Sequence, residues 1–312
     1  AWSQAGAEID GFSQAAWMSV PPTLTLPQLE KLLVHVMGQH RVFDDLADII
    51  DAYLGLPEGP APVKHWVRCS EVDAFEGADA DLVHRARSDI NLQLSRYATA
   101  ILVTGEQTRV LLAVHHLLID AVSWLVLMRQ FATTWAAMAA QEPLPLFSSP
   151  SMRRYAARLH EQIIIDRAMA EKPFWLMQSG SHSELPWQLS SVKSDRFRVE
   201  HVFADLEASF LTRDGHLRFE TRGEELVLAA TVNALAVISS SPEVILQIES
   251  NGRANAYLDA DYADSVGWMT SAYPLRFSEL VPEGNEPNAL IERVKDTVRR
   301  VPEQGVGYGV LR

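Results

Sequence analysis

Residues 110–124 read VLLAVHHLLIDAVSW: a run of apolar residues, two histidines, and an aspartate four positions after the second histidine. Side chains alternate faces along a β-strand. His115 and His116 therefore cannot both point at one site while the strand continues; one faces a cavity and the other is packed and hydrogen-bonded. The preceding run, residues 97–104, is also rich in Val, Leu and Ile, and Gly105, Glu106 and Gln107 join it to residues 108–116. This predicts a hairpin buried in a sheet. A helix is expected from about residue 121 to 140, with Asp120 directly before it, where an acidic N-cap is favoured.

Working outward, residues 12–20 read as a strand and 26–39 as an amphipathic helix with apolar positions Leu29, Leu32, Leu33 and Val36. Residues 63–72 are strand-like and 78–90 helical. After a break between Pro143 and Pro150, a helical stretch is expected over 152–177, interrupted near Pro173. Residues 179–194, SGSHSELPWQLSSVKS, lack apolar periodicity and serve as a candidate linker. Beyond it, strands are expected at 196–203, 244–249 and 268–277, and helices at 225–237 and 287–300. Strands and helices alternate, so the fold class is α/β, organised as an N-terminal lobe over 1–180 and a C-terminal lobe over 181–312.

Hydrophobic residues make up 47% of the 312 residues and charged residues 21%, a balance that supports a substantial core. The net charge of −13 argues against nucleic acid as a partner. Cys69 is the single cysteine, so no internal disulfide forms, in keeping with a reducing cytoplasm. Residues 226–238, the most apolar long run, are too short to span a bilayer, and the first ten residues do not resemble a signal peptide. The expectation is a soluble cytoplasmic protein with no membrane partner.

Several chemistries can be weighed on residue patterns alone. A histidine at a strand end is commonly a satisfied core residue. A bare HH-x-x-x-D suggests metal ligands, but no third ligand cluster, C-x-x-C pair or H-E-x-x-H accompanies it, so no metal is expected. No G-x-S-x-G elbow exists for a serine triad. Gly305, Gly307 and Gly309 follow a helix rather than a strand, which favours a tight loop over a nucleotide site.

HHLLIDAVSW resembles the HH-x-x-x-D-G signature of the condensation-domain superfamily of nonribosomal peptide synthetases, with Ala121 in place of the glycine. The continuation through Ser123 and Trp124 is similar to the superfamily's epimerization branch. Other segments resemble that branch in the same order. Phe12-Ser13-Gln14 is similar to an FNQ strand start, and ESNGR (249–253) to EGHGR, with Ser250 and Asn251 departing from it. DSVGWMTSAYP (264–274) resembles DLSRTVGWFTSLYP, and VPEQGVGYGVLR (301–312) resembles VPNKGIGYGLLR. The family's LTP-x-Q opening is not visible before Phe12. Its sheet normally continues past the GYG segment, so the C-terminal lobe is expected to be incomplete.

The resemblance implies two chloramphenicol-acetyltransferase-like α/β lobes in a V-shaped pseudodimer. It implies L-to-D inversion at the α-carbon of an aminoacyl or peptidyl thioester, an amino-acid epimerase activity. No intrinsic cofactor is implied; a phosphopantetheine arm is delivered by a peptidyl carrier protein domain, which with neighbouring synthetase modules forms the set of partners. His116 matches the catalytic second histidine and Glu249 the glutamate of EGHGR, an acid/base pair drawn from opposite lobes that must converge on the substrate. The alternative for Glu249 is a carboxylate paired with Arg253 that holds a turn. His115, Asp120, Asn251 and Arg253 are supporting residues, Asp120 capping its helix or pairing with an arginine. Trp124 and Trp268 are read as core. Competing readings are a condensation domain that forms an amide or ester bond between carrier-bound substrates, and an inactive platform for carriers or tailoring enzymes.

Overall fold

The computed structural model describes residues 12–43, 67–73, 79–92, 96–105, 107–178, 200–281, 284 and 286–312. The proposed linker, residues 179–194, lies outside them. The chain divides into two compact units, one formed by Ala1–Glu161 with Asn251–Thr270, the other by Gln162–Ser250 with Ser271–Arg312. The division differs from a single cut near residue 180: Asn251–Thr270 groups with the first unit and Gln162–Gln178 with the second.

In the first unit, β1 (Ser13–Ser19), β2 (Val67–Asp73), β3 (Ala98–Thr104) and β4 (Arg109–His115) form a sheet in the order β1-β4-β3-β2. β3 and β4 are the antiparallel hairpin expected from their apolar runs, and β1 lies antiparallel to β4, with Ser13 opposite His115. β2 runs parallel to β3, a pairing that needs a crossover; the helix α2 (Asp79–Ser88) lies between them in the chain.

Both faces of the sheet are covered, which explains why β3 and β4 read as nearly unbroken apolar runs rather than alternating ones. Ala98, Ala100, Leu102, Val110, Leu112 and Val114 pack with Leu29, Leu33 and Val36 of α1 (Leu26–Met37) and with Val126, Leu127 and Phe131 of α3 (Ala121–Ala140). Ile101, Val103, Leu111 and Ala113 turn to the other face and pack with Leu82 and Ala86 of α2. His40 and Gln130 share a buried 2.7 Å hydrogen bond between their side chains. Burial pushes the His40 imidazole below its usual range, and the Gln130 bond only partly offsets it. The helix α4 (Met152–Leu159) contributes Tyr155 to a small cluster with Tyr262 and Met269.

In the second unit, β5 (Val244–Ser250) and β6 (Ser271–Phe277) form an antiparallel pair, with Val244 opposite Phe277 and Ser250 opposite Ser271. The helices α5 (Gln162–Gln178), α6 (Gly223–Ser239), α7 (Pro287–Arg299) and α8 (Val306–Leu311) supply Trp175, Val232, Ala236, Leu290, Val294 and Leu311 to a core with Tyr273, Leu275 and Phe277.

Two expectations change here. The helical stretch 152–177 is broken between Leu159 and Gln162, not at Pro173, which lies inside α5. Proline removes the N–H that would bond the carbonyl of Met169, yet α5 continues through it to Gln178. Residues 200–203, the described part of the strand expected at 196–203, have no regular structure.

Candidate active site

β4 ends at His115, a short 3-10 turn spans His116–Leu118, and Asp120 caps α3. The two histidines separate as strand geometry demands. His115 is fully buried, and its Nδ1 accepts the Leu117 N–H at 3.3 Å. His116 is half-buried. Its Nδ1 is 2.9 Å from the Ile119 carbonyl and its Nε2 is 2.7 Å from Gln14 Nε2. A carbonyl only accepts, so Nδ1 carries a proton, and the Gln14 NH2 facing Nε2 makes that nitrogen the acceptor. Trp124 Nε1 donates to Gln14 Oε1 at 2.8 Å. The Phe12 ring stacks on the imidazole at 4.8 Å and 11°, and the Trp268 ring lies 5.0 Å away at 37°. Trp268, read as core, is 37% exposed and is part of the histidine's surroundings. Sequence reasoning missed Gln14 as a partner; the only signal was its place in the FNQ-like start of β1.

Behind the turn, Asp120 and Arg253 form a buried ion pair, with side chains 2% and 3% exposed. Arg253 Nη1 and Nη2 donate to the two Asp120 oxygens at 2.7 and 2.8 Å. Oδ1 also accepts from the Ser123 N–H and hydroxyl, and Oδ2 from the Met269 N–H and the Thr270 hydroxyl. Arg253 further bonds the carbonyls of Asn251, Ser265 and Gly267. Burial opposes ionisation of Asp120, but the bonds from Arg253 and Ser123 outweigh it and hold the carboxyl below its ordinary value. Asp120 thus both caps α3 and pairs with an arginine. Asn251 is exposed, and its Oδ1 accepts the Arg253 N–H at 2.9 Å. Gly252 has φ +66°, and a Cβ there would lie 1.9 Å from the Met269 carbonyl oxygen, so the turn that delivers Arg253 requires glycine. Tyr155 donates to the Gly252 carbonyl at 3.2 Å, and burial pushes its hydroxyl up to about 12.

In the second unit, Glu249 stands opposite Ala272 near the end of β5. It is exposed, with no hydrogen-bond or ion-pair partner among the described residues. Arg253, the partner named in the turn-holding alternative, pairs with Asp120 within the first unit. Gly307 and Gly309 lie in the helix α8 rather than in the tight loop expected, and packing explains Gly305 and Gly307 but not Gly309, which has open space at its Cβ position. Gly305, at φ +80°, starts α8, and a Cβ on it would lie 1.8 Å from the Tyr273 ring. A Cβ on Gly307 would lie 2.1 Å from a carboxylate oxygen of Glu171 on α5. Arg299 pairs with Glu225, which is 1% exposed.

Among the described residues, no cluster of three or more His, Cys, Asp or Glu could hold a metal. No helix among them is long and apolar enough to cross a membrane.

The strands and helices make an α/β domain in which paired histidines close a sheet strand in front of a buried aspartate–arginine pair, and its fold matches that of solved condensation-type domains, the chloramphenicol-acetyltransferase-like fold that the resemblance implied. Residues 62–312 match the Condensation domain family model, and the chain belongs to this family. It is 28% identical over 300 residues to surfactin synthase subunit 1 of Bacillus subtilis (strain 168), covering 91% of this chain and 8% of that protein. It is also 28% identical over 214 residues to bacitracin synthase 2 of Bacillus licheniformis, covering 67% of this chain and again 8% of the relative. The chain therefore spans less than a tenth of either relative. The structure resembles the epimerization domain from the third module of tyrocidine synthetase B, with TM-score 0.75, 22% identity, and 97% of this chain and 70% of that chain covered. It also resembles the first condensation domain of the CDA synthetase, with TM-score 0.69, 16% identity, and 96% and 71% covered.

Proposed function

We propose that this domain is an epimerization domain of a nonribosomal peptide synthetase and inverts the α-carbon of an aminoacyl or peptidyl thioester. The substrate arrives on the phosphopantetheine arm of a peptidyl carrier domain, and neighbouring synthetase modules are the other partners. The observation that carries the reading is the state of His116: half-buried, with Nδ1 donating to a backbone carbonyl and the Nε2 lone pair turned to the Gln14 amide, a partner that substrate can replace. An imidazole so held is a competent base for the weakly acidic proton beside a thioester carbonyl. Inversion needs a second proton-transfer group on the other face of the α-carbon. Glu249, exposed and without a side-chain partner among the described residues, is proposed as that group. Asp120, Arg253 and Asn251 hold the turn around Gly252, and His115 braces the turn that carries His116 through the Leu117 N–H.

The segment DSVGWMTSAYP favours epimerization over bond formation. The likeness to the CDA condensation domain keeps amide- or ester-bond formation as the second reading. The experiment loads a carrier domain with an L-aminoacyl thioester in D2O and follows mass and chirality. Deuterium uptake with D-product supports epimerization. A coupled product from two loaded carriers without deuterium uptake replaces it with condensation, and neither product means an inactive platform.

A further inference from the structure

Gln14 and Trp124 play no part in the chemistry above, yet their geometry is specific. An indole N–H can only donate. Trp124 Nε1 lies 2.8 Å from Gln14, so the amide oxygen must face the indole. The amide NH2 then faces the opposite way, 2.7 Å from His116 Nε2. On the far side of the ring, Nδ1 meets the Ile119 carbonyl at 2.9 Å. Turning the Gln14 amide over would set its NH2 against the indole N–H, two donors facing each other. The Phe12 and Trp268 rings border the imidazole, and neither titrates. The neighbouring His115 is buried and accepts the Leu117 N–H.

We propose that Trp124, acting through Gln14, is a positioning residue that holds the His116 ring with its donor at Nδ1 and its acceptor at Nε2. A proton at Nε2 would point at the Gln14 NH2 across 2.7 Å, so uptake there requires the amide to leave. Substrate must therefore displace the Gln14 NH2 to reach the base. This deepens the reading of His116 as a proton-transfer group and rests on it for its effect on rate, but not for its effect on the ring itself.

The test labels the full chain with [15N]histidine and reads the His116 ring nitrogens by long-range 1H–15N correlation near neutral pH, assigned by their loss in His116→Gln. The unsubstituted chain is expected to show protonated Nδ1 and bare Nε2. Trp124→Phe keeps a packed ring and removes only the donor, so the freed amide can present its oxygen and Nε2 gains proton occupancy. Gln14→Glu is isosteric and offers an acceptor to both neighbours, so the imidazolium pattern is expected. With loaded carrier, Trp124→Phe should lower kcat about ten- to a hundredfold with little change in KM. The same neutral Nδ1–H pattern in all three proteins overturns the proposal. Altered patterns in a chain that turns over no thioester would sustain it while removing the epimerization reading.

Discussion

Two carboxylates in this chain come from the same set of motifs and meet opposite surroundings. Asp120 is 1% exposed, and each of its oxygens accepts from three donors. Glu249 is exposed and has no bonded partner among the described residues. A carboxylate saturated with donors has no lone pair left for a reacting proton, and the guanidinium beside it disfavours the protonated form. A carboxylate with open lone pairs can approach a substrate and change its state. The difference teaches that a motif's acidic residues divide by surroundings: the donor-filled one keeps the turn rigid, and the unpaired one is available for chemistry.

The comparison breaks most visibly at Arg253. Arg253→Met strands a buried charge on Asp120, and a loss of about 3–5 kcal/mol in unfolding free energy is expected by denaturant titration. Pairing it with Asp120→Leu should recover part of that loss; no recovery would mean that the remaining contacts, not the stranded charge, set the cost. Gly252→Ala forces a side chain into a left-handed conformation against the Met269 carbonyl, so about 1–3 kcal/mol is expected by thermal unfolding. Acid titration sharpens the contrast. The Asp120 carboxyl sits below its ordinary 3.8 when folded, so its contribution is complete above that value and disappears as pH falls through the lower folded value. Asp120→Asn should flatten stability against pH in that window, and an unchanged slope would assign acid unfolding to other carboxyls. Glu249→Gln completes the series at the small end, with a stability change within about 0.5 kcal/mol. Its inversion rate should nevertheless fall about 10²–10⁴-fold, the range of a lost acid/base group. Full activity would remove Glu249 from the mechanism.

The β3–β4 hairpin was legible because two β-branched and leucine-rich runs flank a glycine, a strictly local signal. The cap at Asp120 was legible for the same reason. The pairing of β1 with β4 and the parallel course of β2 beside β3 were not, since nothing local in Ser13–Ser19 or Val67–Asp73 names a partner strand. Pro173 misled because a proline's local penalty does not show that the helix around it is held by packing, here through Phe174 and Trp175 in the core of the second unit. The histidines were found by spacing, but the contact of Trp124 with Gln14 joins residues 110 positions apart and has no periodic signature. The move of Asn251–Thr270 into the first unit was hidden for a related reason: its hold comes from Arg253, Ser265 and Gly267 bonding around Asp120 and Ser123, not from an apolar repeat.

That twenty-residue excursion has a consequence for recombination. The chain passes between the two units after Glu161, after Ser250 and after Thr270. A single crossover between homologous genes can exchange everything upstream or downstream of one point, but it cannot transplant either unit whole. A chimera that respects the units needs three junctions, and one made at any single point inherits an Arg253 and an Asp120 from different parents unless both lie on the same side of the cut.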